Sequence, residues 1–285
     1  LTLAQLARLH HAAVIEMGCS RPGDIARLAA MARPDIAVVT NAAAAHLECL
    51  GTVAGVAREK GALYAALPPG GAAVLNADDD FASEWRRIIG TRRTVTFGSA
   101  RGADFRVTDY RDLPPPDAEP GTRPMQAAFR LSGLAGELEL HSPLPGRHNA
   151  LNAAAAAAAA TLAGADPADV VAGLAAVHVE SGRMQVVRPV PDVCVIDDSY
   201  NANPASLKAA VDWLVGLPGR PWLVLGDMAE VGDDPEGVHA RCGRDAVSAG
   251  IERLFTVGPL SAAAASAAGP AGAAFEDASS AVTAI

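Results

Sequence analysis

The sequence predicts an α/β protein of two units, each built on a mostly parallel sheet. Three observations carry that prediction. Short apolar runs alternate with helical stretches over most of the 285 residues. Most of these runs are continuously apolar, as in strands covered on both faces. Half of the residues are hydrophobic and 19% are charged, enough apolar material for two ordinary domain cores.

In chain order, Ala12–Ile15 reads as a buried strand ending at Glu16, followed by a helix from about Asp24 to Met31. Ile36–Thr40 is a second strand, Thr52–Leu67 a long helix, Ala73–Leu75 a third strand and Asp79–Ile89 a further helix. The texture then changes. Arg93–Phe97, Phe105–Tyr110, Gln126–Leu131 and Glu137–Leu140 alternate like antiparallel strands, with a Pro-rich turn at Leu113–Pro124. Pro143–Asn149 leads into a helix over Ala150–Leu162, whose Ala153–Ala160 run reads as a smooth packing face. A second α/β alternation starts near Val186, with strands at Cys194–Ile196, Trp222–Leu225 and Leu254–Val257 and helices at Ser206–Val215 and Val238–Ala249. Strand and helix signals lapse around Val177–Arg183, which divides the chain into units 1–180 and 181–285.

Composition narrows the function. Thirty-two acidic against 23 basic residues give a net charge of -9, a poor match to nucleic acid or an anionic membrane surface. No apolar run is long enough to insert in a membrane. Cys19, Cys49, Cys194 and Cys242 are widely spaced and form no Cys-x-x-Cys pair, so they read as reduced thiols of a cytoplasmic protein. The chain begins on Leu1 without a methionine and ends at Ile285 inside an apparent helix, so it is expected to be a fragment.

Polar residues cluster where strands end, and ligands of open α/β sheets gather beyond carboxyl strand ends. Glu16 closes the first run; it is either a hard oxygen ligand for Mg²⁺ or an exposed acid. His46, in Thr40-Asn41-Ala42-Ala43-Ala44-Ala45-His46-Leu47-Glu48, suits a metal or a phosphate, or is a satisfied surface group. Lys60 is either a solvated mid-helix lysine or part of a crowded site, the latter hinted at by Gly61. Asn149 and Asn152 share one helix face at an N-terminus that attracts anions, with simple capping as the alternative. Arg183 can reach across a cleft to a phosphate or bond the linker backbone. Asp197-Asp198-Ser199-Tyr200-Asn201-Ala202-Asn203-Pro204 holds more polar groups than a turn requires, and Gly226-Asp227-Met228-Ala229-Glu230 repeats the arrangement after the next strand. Both loops are expected to face one crevice.

Taken together, Glu16-Met17-Gly18, Thr40-Asn41, Ala45 to Glu48, Ala57 to Gly61, Gly146 to Asn152, Ser181-Gly182-Arg183, Asp197 to Pro204 and Gly226 to Glu230 resemble the Mur ligase family. The tyrosine and paired asparagines of the Asp197–Pro204 block look like the branch that adds a D-alanyl-D-alanine dipeptide. The resemblance implies a central ATPase domain, with a mostly parallel sheet extended by antiparallel strands, and a C-terminal Rossmann-like domain. It implies an ATP-dependent amide ligase acting on UDP-N-acetylmuramoyl-tripeptide and D-alanyl-D-alanine through an acyl phosphate, as a monomer. Other Mur or folylpolyglutamate-type ligases, and a non-catalytic nucleotide-binding module, are the alternatives.

Carried over, Glu16 is implied to bind Mg²⁺ near ATP, and His46 and a carbamylated Lys60 a second Mg²⁺. Asn149 and Asn152 are implied to contact adenine, Arg183 a phosphate and Asp198 the ribose, with Asn201, Asn203 and Asp227 lining the cleft. Three departures stand out. The Gly-Lys-Thr of a P-loop does not occur. Ala43-Ala44 stand where relatives carry Gly-Pro, and Ala62 stands where they often carry glutamate. Without the P-loop, the chain alone is expected to be inactive.

Overall fold

The structure, a computed structural model, describes residues 2–113, 126–134, 136–187 and 193–285. The expected Pro-rich turn at Leu113–Pro124 falls almost wholly outside them.

After a 3-10 turn at Thr2–Gln5 the chain runs irregularly to Gly23. The strand expected at Ala12–Ile15 does not form, and Val14 is 96% exposed. Four apolar residues make a strand only when a neighbour takes up their N–H and C=O groups, and no described strand lies beside them. Regular structure starts with α1 (Asp24–Ala32), β1 (Ile36–Val39), the single turn α2 (Leu47–Leu50), α3 (Val53–Ala65), β2 (Ala72–Asn76), α4 (Ala82–Ile89) and β3 (Arg93–Gly98). β4 (Phe105–Leu113), β5 (Gln126–Leu134) and β6 (Gly136–Ser142) follow, then α5 (Arg147–Leu162) and α6 (Pro167–Ala175).

These strands form one six-stranded sheet in chain order, β1-β2-β3-β4-β5-β6. β1, β2 and β3 are parallel, and β3 meets the start of β4 in parallel at Phe97–Phe105. β5 and β6 add antiparallel. The antiparallel reading of Arg93–Phe97 is thereby corrected: α4 crosses from β2 to β3, and such a crossover returns the next strand parallel. Its apparent alternation reflects an exposed first residue ahead of a buried end.

Helices cover both faces. On one, Tyr64, Leu67, Trp85 and Ile89 pack over Ala37, Val39, Ala73 and Leu75. The Tyr64 hydroxyl donates to Val74 O and the Trp85 indole to Ala57 O, so neither buried polar group is left unpaired. On the other face α5 lays Ala150, Ala154, Ala157 and Ala158 against Val74, Phe97, Phe105 and Phe129. The alanine run is structural, as its composition suggests.

In the C-terminal part, β7 (Gln185–Val187) pairs antiparallel with β8 (Val195–Asp197). α7 (Pro204–Val215), β9 (Trp222–Gly226), α8 (Pro235–Ala249), β10 (Arg253–Val257), α9 (Ala262–Ala267), a 3-10 turn, β11 (Gly272–Phe275) and α10 (Ala278–Ala284) complete it. β11-β10-β9 form a parallel sheet. The strand expected at Cys194–Ile196 appears one residue later, in the β7–β8 ladder. No described helix is long and apolar enough to cross a membrane.

Candidate active site

Three side chains fix the loop that leaves the carboxyl end of β1. Asn76, at the end of β2, donates to Thr40 O at 2.7 Å, and Asp79 accepts from Ala42 N–H at 2.8 Å. Lys60 donates from Nζ to Asn41 O at 2.7 Å. α3 reaches this position because Gly61 lets it approach α4: a Cβ there would lie 3.0 Å from Trp85 and Ile88. The preceding Glu59 is buried and accepts from Gly23 and Ile25 N–H, tying α3 to the start of α1. Burial pushes the Lys60 amine below its ordinary range, with Cys19 and Asp79 pulling it partly back.

His46 ends the same loop in the left-handed region, at φ 56°. Its Nδ1 pairs with the carboxylate of Glu230, and Leu47 N–H donates to Glu230 O at 3.0 Å. Glu230, also left-handed at φ 57°, closes the loop after β9. The carboxyl-end loops of parallel strands in two separate sheets therefore touch. In the sequence Glu230 carries no signal of its own beyond its place at the end of the Gly226–Glu230 loop.

The other candidates gather at the start of α5 and the end of β8. Asn149 donates to Pro145 O at 2.7 Å, and Asn152 lies 3.4 Å from the Asn149 Oδ1. Asp198 accepts from Met184 N–H at 3.1 Å. Burial holds its carboxyl above the ordinary range against the pull of Met184 N–H, His148 and Arg183. The Arg183 guanidinium lies 4.1 Å above the Tyr200 ring, and Tyr200 N–H donates to Gly182 O at 3.0 Å. Gly182 sits at φ +74°, where an added Cβ would lie 2.9 Å from Tyr200 N. This pairing orients the arginine.

Asn201 is exposed beside these residues. Asn203 is the N-cap of α7: its Oδ1 accepts from Ala205 and Ser206 N–H, and its own N–H donates to Ser206 Oγ. Asp227 turns toward the loop after β10, accepting from Ser261 N–H at 2.7 Å. That contact holds its carboxyl low despite desolvation.

Glu16 is exposed on the irregular N-terminal segment. Among the described residues no hydrogen bond or ion pair joins any two of Glu16, His46 and Lys60, and no three His, Cys, Asp or Glu side chains are grouped to hold a metal. Lys60 as an ammonium repels a cation, so this donor set suits Mg²⁺ only with Lys60 carrying a carbamate.

Two family models match the chain: the Mur ligase middle domain over residues 1–160, and the Mur ligase, glutamate ligase domain over residues 182–285. A relative from Escherichia coli K12, UDP-N-acetylmuramoyl-tripeptide–D-alanyl-D-alanine ligase, is 40% identical over 270 residues, covering 94% of this chain and 58% of the relative. The crystal structure of MurF from Acinetobacter baumannii superposes with a TM-score of 0.89 at 31% identity, covering 99% of this chain and 59% of the other. MurF ligase from Thermotoga maritima in complex with ADP gives 0.72 at 27% identity, covering 87% and 55%. The chain thus spans little more than half the length of the proteins it matches.

Proposed function

The chain belongs to the Mur ligase family, and on that premise we propose that it is the nucleotide-binding and C-terminal part of a ligase. The ligase joins D-alanyl-D-alanine to UDP-N-acetylmuramoyl-tripeptide at the expense of ATP, in peptidoglycan precursor synthesis. The E. coli relative supports the choice of substrates by its name. One observation carries the reading: the loops after β1 and β9 meet through His46, Leu47 and Glu230. Each is the end of a sheet where α/β folds gather ligands, so a nucleotide held on one side can be brought to an acceptor held on the other.

The chemistry follows from the bond to be made. A carboxylate is a poor electrophile and oxide a poor leaving group. Its oxygen therefore attacks the γ-phosphorus of ATP, releasing ADP and leaving an acyl phosphate. The amine of D-alanyl-D-alanine adds to that carbonyl and loses a proton, and phosphate departs as the amide forms. In this scheme Asn149 and Asn152 face the adenine, Asp198 the ribose, and Arg183, steadied on Tyr200, a phosphate. Asn201, Asn203 and Asp227 line the cleft, Asn203 while capping α7 and Asp227 while holding the loop after β10.

The lowered basicity of Lys60 supports its conversion to a carbamate, because only the neutral amine adds carbon dioxide. With that group Glu16, His46 and Lys60 offer donors for Mg²⁺, which when bound neutralises phosphate charge. Four free cysteines suit a reducing, cytoplasmic setting, and the protein is taken to act as a monomer of units 1–180 and 181–285. The sequence holds no Gly-Lys-Thr, so the 285-residue polypeptide by itself is expected to form no amide.

The test is an acceptor panel with the product of the whole reading frame that encodes this segment. D-alanyl-D-alanine should support ATP-dependent amide formation while diaminopimelate, lysine and glutamate do not. A preference for one of those amino acids would move the chain to another branch. No turnover with any acceptor would favour a binding-only module.

A further inference from the structure

A strand of the six-stranded sheet reaches the N-terminal end of α5 through a single hydroxyl. In β4, Thr108 stands opposite Arg130 and Arg111 opposite Ala128, so Asp109 and Tyr110 together occupy the space facing Phe129. This is a β-bulge, and Asp109 adopts the left-handed conformation it needs, at φ +49°. The Tyr110 hydroxyl donates to the Asp112 carboxylate two residues on. It accepts from Gly146 N–H at 2.6 Å.

Gly146 is a constrained position. It sits at φ +95°, and a Cβ there would lie 2.6 Å from the His148 ring. It immediately precedes the first turn of α5, accepting at its carbonyl from Asn149 N–H at 2.9 Å. Asn149 in turn holds Pro145 O and stands beside Asn152. The hydroxyl thus holds the N–H of the Pro145–Gly146 peptide, whose carbonyl oxygen takes the Asn149 side chain.

We infer that Tyr110, aimed by the bulge and oriented by Asp112, is a positioning residue for adenine-nucleotide binding that holds the Gly146 turn so that Asn149 and Asn152 face the base. The inference rests on the assignment of those asparagines to the base. Tyr110 touches no nucleotide in this account; it acts through Gly146. A bond with a carboxylate behind it is stronger than a neutral one, which suits a fixed turn better than a solvent-held one.

The experiment compares this chain with Tyr110→Phe, Asp112→Asn and Asn149→Ala. Adenosine affinity is read by NMR titration, and amide hydrogen exchange is followed along 145–162. Tyr110→Phe should weaken adenosine binding about tenfold, the scale of one lost hydrogen bond. Exchange should speed up at Gly146–Asn149 while the interior of α5 keeps its protection. Asp112→Asn leaves the phenol in place and should give a smaller shift in the same direction, which keeps the inference testable if Tyr110→Phe folds poorly. A merely structural tyrosine would instead raise exchange throughout α5 and β4. If both Tyr110→Phe and Asp112→Asn bind adenosine like the parent chain while Asn149→Ala loses it, the inference fails and the nucleotide assignment stands. If the parent chain does not bind adenosine, or Asn149→Ala leaves binding unchanged, the assignment fails and takes the inference with it.

Discussion

Glu59 is 8% exposed, and each of its carboxylate oxygens takes one N–H at 2.8 Å, from Gly23 and from Ile25. Glu59→Ala would strand both donors at the start of α1 and should cost about 3 kcal/mol in a urea titration, the sum of two charge-assisted bonds less relaxation. His148 yields a pH prediction. Burial holds its imidazole below the ordinary value of 6.5, with Asp198 drawing it partly back. Between the folded value and 6.5 the unfolded chain binds the proton and the folded chain does not, so stability rises with pH across that window and is flat above it. Acidification from pH 7 to 5 should therefore lower Tm less in His148→Gln than in the parent chain; equal slopes would contradict this. The candidates themselves are legible in the sequence because each lies in a short polar motif set among apolar runs, although only some of those motifs, such as the loops after β1 and β9, follow a strand. The candidates' partners are not. The bonds that Asn203 makes as a helix cap and Asp227 makes to Ser261 N–H are visible only in the geometry.

α8 and α9 cross at glycine. A Cβ on Gly243 would lie 2.2 Å from the carbonyl oxygen of Ala264, a contact that only separation of the two helices relieves. Gly243→Ala should destabilise the C-terminal sheet by about 2 kcal/mol or more, visible as a lower urea midpoint, because overpacking a close crossing forces backbone movement. Strands with continuous apolar runs, such as β2, were readable because burial on both faces leaves that pattern. Ala12–Ile15 carries the same pattern without forming a strand, because the pattern records apolarity and not the presence of a partner strand. β11, Gly272–Phe275, has no β-branched residue, and α9 is nearly all alanine, so neither carries a period to detect. α6 did have a signal, Asp166-Pro167 ahead of Val170, Val171 and Leu174. The bulge in β4 has none, since it is defined by register against a strand elsewhere in the chain.

At the scale of the molecule, the defining contact joins residues 184 positions apart, His46 and Glu230. No local pattern could announce it, although the two loops were each visible as polar strand ends. Both side chains are part-exposed, so the pair contributes little to stability and its significance is where it places the two loops. In the function proposed above, that placement lets one sheet present an activated carboxylate to an amine held by the other, and this transfer is the proposal's central claim. It is tested most directly with tripeptide substrate labelled with ¹⁸O in the accepting carboxylate, using the product of the whole reading frame. With ATP and D-alanyl-D-alanine present, one labelled oxygen should appear in the released phosphate for each amide formed. Unlabelled phosphate, or label in AMP, would contradict the account.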